Sequence, residues 1–400
     1  PLYDRPGGPY TDEAGRDWED NALRFGLLCK VGALFGAGQG MDGWRADVLH
    51  GHDWHAGLLP AYAHFDHAVT AATVFTIHNL AYQGNFPADT RATLDLPAEA
   101  FRPDGLEFYG HLNFMKAGLW YSDRLTTVSP TYARQILGEE YGEGMSGVLR
   151  ARGAALSGIL NGVDAQAWNP ATDTLLPARY SGAELAGKAR CKLELQDRLG
   201  LARDPETPVI GMVGRVTPQK GWDLLPEALA TLAPSNAQWA LLGSGDRGLE
   251  SELTRLAAAH PGSVGLYLGY DEALSHLVIA GADIFAMPSR FEPSGLTQMY
   301  SQIYGTVPVV RRTGGLADSV VQATPETIPG GSGTGFLFED ASSAALAGAL
   351  GAAIRMYRDD KAGWAQLQAN GMRHEFGWRQ PVAAYLDVYR RAAALRGGAA

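Results

Sequence analysis

The chain has 400 residues, of which 46% are hydrophobic, 10% aromatic and 19% charged, a balance that excludes a disordered, fibrous or disulfide-stapled protein. Its 43 acidic and 33 basic side chains leave a formal net charge of −10, which offers no basic surface to a polyanion and argues against nucleic acid as a partner. At about 150 residues per domain, the length predicts two to three domains with self-sufficient cores.

In chain order, short apolar runs at 46–50, 73–79 and 124–129 read as buried strands, and 57–65 and 111–122 as helices between them. A second series follows: strands at 208–215, 238–243, 265–270, 283–288 and 307–312, with helices at 222–233 and 249–260. Alternating strands and helices predict parallel sheets covered on both faces, so the fold class is α/β with two doubly wound, Rossmann-like domains facing across a cleft. The aperiodic, Pro- and Gly-bearing stretch 160–182 marks the junction. The expected domains are therefore 1–165 and 166–375. The amphipathic segment 378–395 predicts a helix within residues 376–400 that packs on one of them.

No run reaches the roughly 18 apolar residues of a membrane helix, and the alanine-rich stretch 342–356 is interrupted by Arg355. A membrane is therefore not an expected partner. Residues 1–15 lack the basic start and apolar middle of a secretory signal, and the two cysteines, Cys29 and Cys191, are too few for a disulfide framework. A reducing, cytoplasmic setting is the expectation.

Five clusters could carry chemistry. His50, His52, Asp53 and His55 stand together where a strand meets a helix. Imidazole with carboxylate suits zinc, but the H-x-H-x-D-H spacing of a metallo-hydrolase is broken by Trp54. The competing reading packs His50 and His52 at the strand end, has Asp53 cap the helix, and leaves Asp53 and His55 as cleft candidates. His78 ends the next strand, where loops of open parallel sheets build sites. Arg215 and Lys220 flank a strand-to-helix turn that Pro218 opens, placing two cations where an anion could meet a helix start. Gly243, Gly245 and Gly248 satisfy G-x-G-x-x-G, yet no acidic residue follows at the ribose-binding spacing, so they read as a tight turn that approaches a ligand. Finally, Glu292 precedes Pro293, which predicts a helix starting at Ser294 or Gly295 with free N–H groups on Gly295, Leu296 and Thr297. A carboxylate beside such an anion cradle suits developing positive charge next to a phosphate leaving group.

The segments HGHDWHAGLLPAY, FTIHNLAYQG, SGILNGVDAQAWNP, GRVTPQKG, GYDEALSHLVIAGAD, PSRFEPSGLTQMYSQIYGTVPVVRRTGGLAD and GTGFLFED, in this order over roughly residues 45 to 340, resemble the bacterial and plant glycogen/starch synthase family of retaining glucosyltransferases. The resemblance implies a GT-B fold, transfer of glucose from ADP-glucose (or UDP-glucose) to the non-reducing 4-hydroxyl of an α-1,4-glucan, no metal and no cofactor. By motif it implies that Arg215 and Lys220 neutralise the donor diphosphate, Glu292 contacts the transferred glucose and His78 holds that sugar. It further implies that Tyr270 stacks on the nucleobase, that Asn161, Ser294, Gly295, Leu296 and Thr297 belong to the donor site, and that Asp53, Trp54 and His55 belong to the acceptor side. The chain departs from the family in carrying Ser294 where many bacterial members have Cys, and in lacking the K-x-G-G-L loop and the leading strand before it. The first domain is therefore expected to be incomplete at its N-terminus. The alternatives left open are another GT-B transferase, an α-glucan phosphorylase, for which no pyridoxal-phosphate motif is seen, or a catalytically impaired glucan-binding fragment.

Overall fold

The computed structural model describes residues 2–40, 42 and 44–397, which divide into two compact units, Pro1–Leu160 with Gln380–Ala400, and Asn161–Arg379. The C-terminal residues thus return to the first unit. Among the described residues no helix is long and apolar enough to cross a membrane.

The first unit holds a parallel sheet of β1 (Val48–His52), β2 (Ala72–Ile77), β6 (Arg124–Thr127) and β7 (Leu156–Gly158), in the order β1-β2-β6-β7. A small antiparallel sheet of β3 (Asn85–Pro87), β4 (Glu107–Phe108) and β5 (His111–Asn113) stands beside the connection after β2. Strand β2 is buried throughout, and its alternation divides the core. Phe75 and Ile77 pack with Met115 and Leu119 of the helix Phe114–Tyr121, while Val74 packs with Val388 and Ala392 of the helix Arg379–Leu395.

Residues 111–113 are strand rather than the first turn of the expected helix 111–122. Asn113 sits in extended backbone and its side chain accepts from the Lys116 N–H at 2.6 Å, so the helix begins after this cap. The helix Asn21–Gly36 was not legible in the sequence. Its apolar side chains run around the axis, Leu23, Leu27, Leu28 and Val31 being exposed while Phe25, Cys29 and Ala33 are buried, and no helical period survives.

The second unit is a six-stranded parallel sheet of β8 (Val209–Val213), β9 (Gln238–Gly243), β10 (Val264–Leu268), β11 (Ile284–Met287), β12 (Val307–Arg311) and β13 (Phe336–Phe338). The order β10-β9-β8-β11-β12-β13 reverses direction between β8 and β11. This is the Rossmann order, whose switch point leaves a crevice at the carboxyl ends of the two central strands. One face packs Ile210, Trp239 and Leu241 under the helices Leu225–Leu232 and Ser343–Asp359; the other packs Val209, Ala240 and Phe285 under Ala186–Arg198 and Glu272–Gly281.

Candidate functional site

In the second unit, two loops leave the switch point side by side: residues 214–223 after β8 and 288–297 after β11. Pro218–Lys220 forms a single 3-10 turn closed by Gly221 at φ 78°, where an added Cβ would lie 2.3 Å from the Pro288 carbonyl oxygen. That contact lets the first loop lie against the second. Several bonds then join them. The Arg290 N–H donates to the Gln219 carbonyl at 2.8 Å, the Gln219 amide donates to the Phe291 carbonyl at 3.3 Å, and the Arg290 guanidinium grips both Asp223 carboxylate oxygens at 2.7 Å. Lys220 Nζ lies 2.5 Å from Glu292 Oε2, and Ser289 Oγ donates to the same oxygen at 3.2 Å. Glu292 is buried, and Arg215 is exposed on the first loop.

Behind Glu292, the Gly315 N–H donates to the carbonyls of Glu292 and Pro293, both at 3.1 Å. A Cβ on Gly314 would meet the Glu292 oxygen, and one on Gly315 the Ser294 oxygen, each at 2.0 Å. The Gly314–Gly315 pair therefore allows the Glu292 loop its backing. The helix after Glu292 starts at Thr297, two to three residues later than expected, because Gly295 at φ 64° and Leu296 at φ −122° stand outside the helical region. Asn161 Nδ2 donates to Ser294 Oγ at 3.3 Å, which brings together two residues expected at the donor site. Tyr270 stands beyond β10 with 85% of its surface exposed, just before Asp271 caps the next helix by accepting from the Leu274 N–H.

The G-x-G-x-x-G turn packs closely against the loop after β8. Cβ atoms on Gly243 and Gly245 would lie 2.0 and 2.3 Å from the carbonyl oxygens of Gly214 and Val216, and Val216 and Gly245 pair as a bridge. Gly243 and Gly245 thus permit the close packing of two loops.

In the first unit, Asp53 does not cap a helix. Its Oδ1 accepts from the His78 and Asn79 N–H groups at 2.7 and 3.2 Å, tying the loop after β1 to the loop after β2. Asp53 adopts φ 54° and ψ −178°, a region that costs a non-glycine residue of order 1–3 kcal/mol and is found where sites are built. Burial pushes its carboxyl above the ordinary value, against the opposing effect of His78. His50 is packed as expected, while His52 reaches solvent and contacts His78, Nδ1 to Nε2, at 3.0 Å. Trp54 packs among Phe25, Phe86 and Phe114, and the His55 ring stacks on Tyr10 with centroids 4.9 Å apart. His55 Nε2 is buried without a hydrogen-bond partner, and burial lowers its pKa to about 4. Among the described residues no three His, Cys, Asp or Glu side chains are grouped to hold a metal ion.

Arg290, Asp223, Ser289 and the Gly314–Gly315 pair were missed from sequence. Arg290 is the cation two positions before Glu292 and Asp223 the carboxylate two after Gly221, but nothing local says that they meet.

The family model described as the starch synthase catalytic domain matches residues 1–151, and that of the glycosyl transferases group 1 matches residues 196–363. A glycogen synthase of Nitrosomonas eutropha is 49% identical over 388 residues, covering 97% of this chain and 77% of the relative. The chain belongs to the glycogen synthase family. A second glycogen synthase, of Leptothrix cholodnii, is 51% identical over 397 residues, with 98% of this chain and 81% of the relative covered. The solved catalytic domain of starch synthase IV from Arabidopsis thaliana, bound to ADP and acarbose, matches with a TM-score of 0.86 at 32% identity, over 94% of this chain and 78% of that one. Anabaena HepE, solved with UDP and glucose, has a TM-score of 0.57 at 16% identity, over 96% of this chain and 83% of that one, and shares the fold alone. For a glycogen synthase, the α/β class with parallel, Rossmann-like sheets is thus established in both units.

Proposed function

We propose that the chain transfers glucose from ADP-glucose to the non-reducing 4-hydroxyl of an α-1,4-glucan with retention of configuration. The observation that carries this reading is the Lys220–Glu292 contact at the switch point of the second sheet, made by the loop that also bears Arg215. The names of the relatives and the ADP and acarbose bound by the starch synthase IV domain support it.

In this reading the bond between glucosyl C1 and the β-phosphate oxygen breaks, and negative charge collects on ADP. Arg215 and Lys220 neutralise that charge, and fixed cations do so best where water is excluded. Glu292 accompanies the sugar as it becomes cationic. Retention through a covalent intermediate needs a second carboxylate about 5 to 5.5 Å away. The Glu292 carboxylate is itself engaged by Lys220 and Ser289. We favour a front-face route: the acceptor O4 bonds to C1 on the side from which the phosphate leaves, and its proton passes to the departing phosphate oxygen. Tyr270 offers its exposed ring to the base, a flat apolar face with a polar tip. Asn161, Ser294, Gly295, Leu296 and Thr297 are assigned to the donor, His78 to the transferred sugar, and Asp53, Trp54 and His55 to the acceptor side, with Asp53 acting through the backbone of His78.

The deciding experiment incubates the chain with radiolabelled ADP-glucose or UDP-glucose and glycogen. Label entering glucan from ADP-glucose, insensitive to chelator, supports the proposal; absence of elongation with either donor overturns it.

A further inference from the structure

The face of the first sheet covered by the C-terminal helix carries a continuous polar chain. Tyr389 OH lies 2.9 Å from His50 Nδ1, and His50 Nε2 lies 2.7 Å from Thr76 Oγ1, which meets Thr126 Oγ1 at 2.5 Å. His50 and His52 alternate with Leu49 and Gly51 on β1, so both imidazoles stand on this face, their ring centroids 4.2 Å apart. His52 then contacts His78 across 3.0 Å, while Asp53 holds the His78 backbone. Hydrogen bonds join the helix to three neighbouring strands through His50, and a ring contact, not a hydrogen bond, passes from His50 to the His52–His78 pair.

A neutral imidazole has one donor and one acceptor nitrogen. A contact between two ring nitrogens at 3.0 Å therefore commits one ring to donate and the other to accept, which fixes both tautomers together. His50 is held in place at both nitrogens, and its ring limits how His52 can turn. Burial lowers the pKa of His50 to about 3 and, with His78 as a further cause, also lowers that of His52. The titratable groups around the pair are His50 and Asp53 from the β1 segment and, through His50, Tyr385 and Tyr389 from the C-terminal helix.

We infer that His52 is a positioning residue that holds the His78 imidazole in one tautomer and one orientation for the transferred sugar. This rests on the assignment of His78 to the sugar made above. His52 itself touches no substrate in this account. Its removal leaves the His78 backbone tied to Asp53 but the ring without its side-chain partner.

The test uses the full chain and four variants, His52→Phe, His52→Asn, His78→Ala and the double variant His52→Phe/His78→Ala. Kinetics, melting temperature and the nitrogen-15 shifts of the histidine rings are measured for each. His78→Ala is expected to lower kcat/KM about 100-fold, and His52→Phe to lower kcat about tenfold with donor KM and melting temperature nearly unchanged, in the range seen when a supporting hydrogen bond is lost. His52→Asn, which can still donate or accept, should restore most of the rate. The double variant should be no worse than His78→Ala alone, because the two residues act as a unit. The His78 ring should show one tautomer in the parent and a mixture in His52→Phe. If His78→Ala is impaired while His52→Phe matches the parent, or if the two losses simply multiply, the positioning role is wrong and the sugar assignment stands. An unimpaired His78→Ala removes both. Unchanged His78 tautomers in His52→Phe overturn the inference whatever the activity.

Discussion

Lys220 Nζ lies 2.5 Å from Glu292 Oε2, so a cation from the loop after β8 and a carboxylate from the loop after β11 neutralise each other at the point where the sheet order reverses. Glu292 is 6% exposed, and an unpaired carboxylate there would be costly. In the proposed reading, a diphosphate arriving at Lys220 would compete for the same ammonium group and free Glu292 for the sugar. Glu292→Gln keeps the shape and the acceptor oxygen, so the melting temperature should change little. Turnover with ADP-glucose should fall about 10²- to 10³-fold, the usual loss for one preorganised electrostatic group. Turnover within twofold of the parent would take Glu292 out of the reaction.

Arg215→Ala should lower turnover by a similar factor, roughly 3 to 4 kcal/mol of transition-state stabilisation. Because Arg215 is exposed, its removal should leave stability nearly intact, and calorimetry beside the rate assay checks both statements.

The Arg290–Asp223 pair holds the Lys220 loop against the Glu292 loop through two parallel bonds. Breaking it should displace both Lys220 and Glu292. Asp223→Ala should reduce kcat/KM about 10- to 100-fold, the scale of a misplacement near 1 Å. Arg290→Lys should not rescue the rate, since an ammonium cannot make the forked contact. An Arg290→Lys variant with parental kinetics would contradict this.

Gly315→Ala places a methyl group 2.0 Å from the Ser294 carbonyl oxygen, which is backbone and must shift. The expected cost is about 1–3 kcal/mol of stability, together with loss of activity because the Glu292 loop moves with it. Thermal unfolding and rate should therefore fall together, unlike the Glu292→Gln variant.

His55 is neutral in the fold, its pKa lowered by burial from 6.5 to about 4. Above pH 6.5 neither state holds the proton, between about 6.5 and 4 the unfolded chain binds it first, and stability therefore falls as pH drops through that window. His50 adds a loss of the same sign, since burial lowers it to about 3. His55→Phe should flatten the decline of melting temperature between pH 7 and pH 4.5, and an equally steep decline would show that the ring is not buried as described.

Much of the site was legible because strand ends carry their own signals. Apolar runs at 73–79, 208–215 and 283–288 closed on His78, Gly214–Arg215 and Pro288–Glu292, and the strands appear there with ends shifted by one or two residues. The helix Asn21–Gly36, with apolar residues on its exposed side, and the two- and three-residue strands β3, β4, β5, β7 and β13 gave no period to read.

Residue types and their spacing alone determined the α/β class, the two repeated strand series, and the identity of Arg215, Lys220 and Glu292 as candidates. Only tertiary structure decided which of these touch and what the glycines do. Lys220 and Glu292 are 72 residues apart in sequence, and their contact depends on β8 and β11 being neighbours across the reversal of strand order. The uses of Gly243, Gly245, Gly314 and Gly315, and the bond from Asp53 to the backbone of His78, likewise depend on two loops meeting. Period and turn chemistry act over a few residues, whereas which loops meet is set by the packing of the whole sheet.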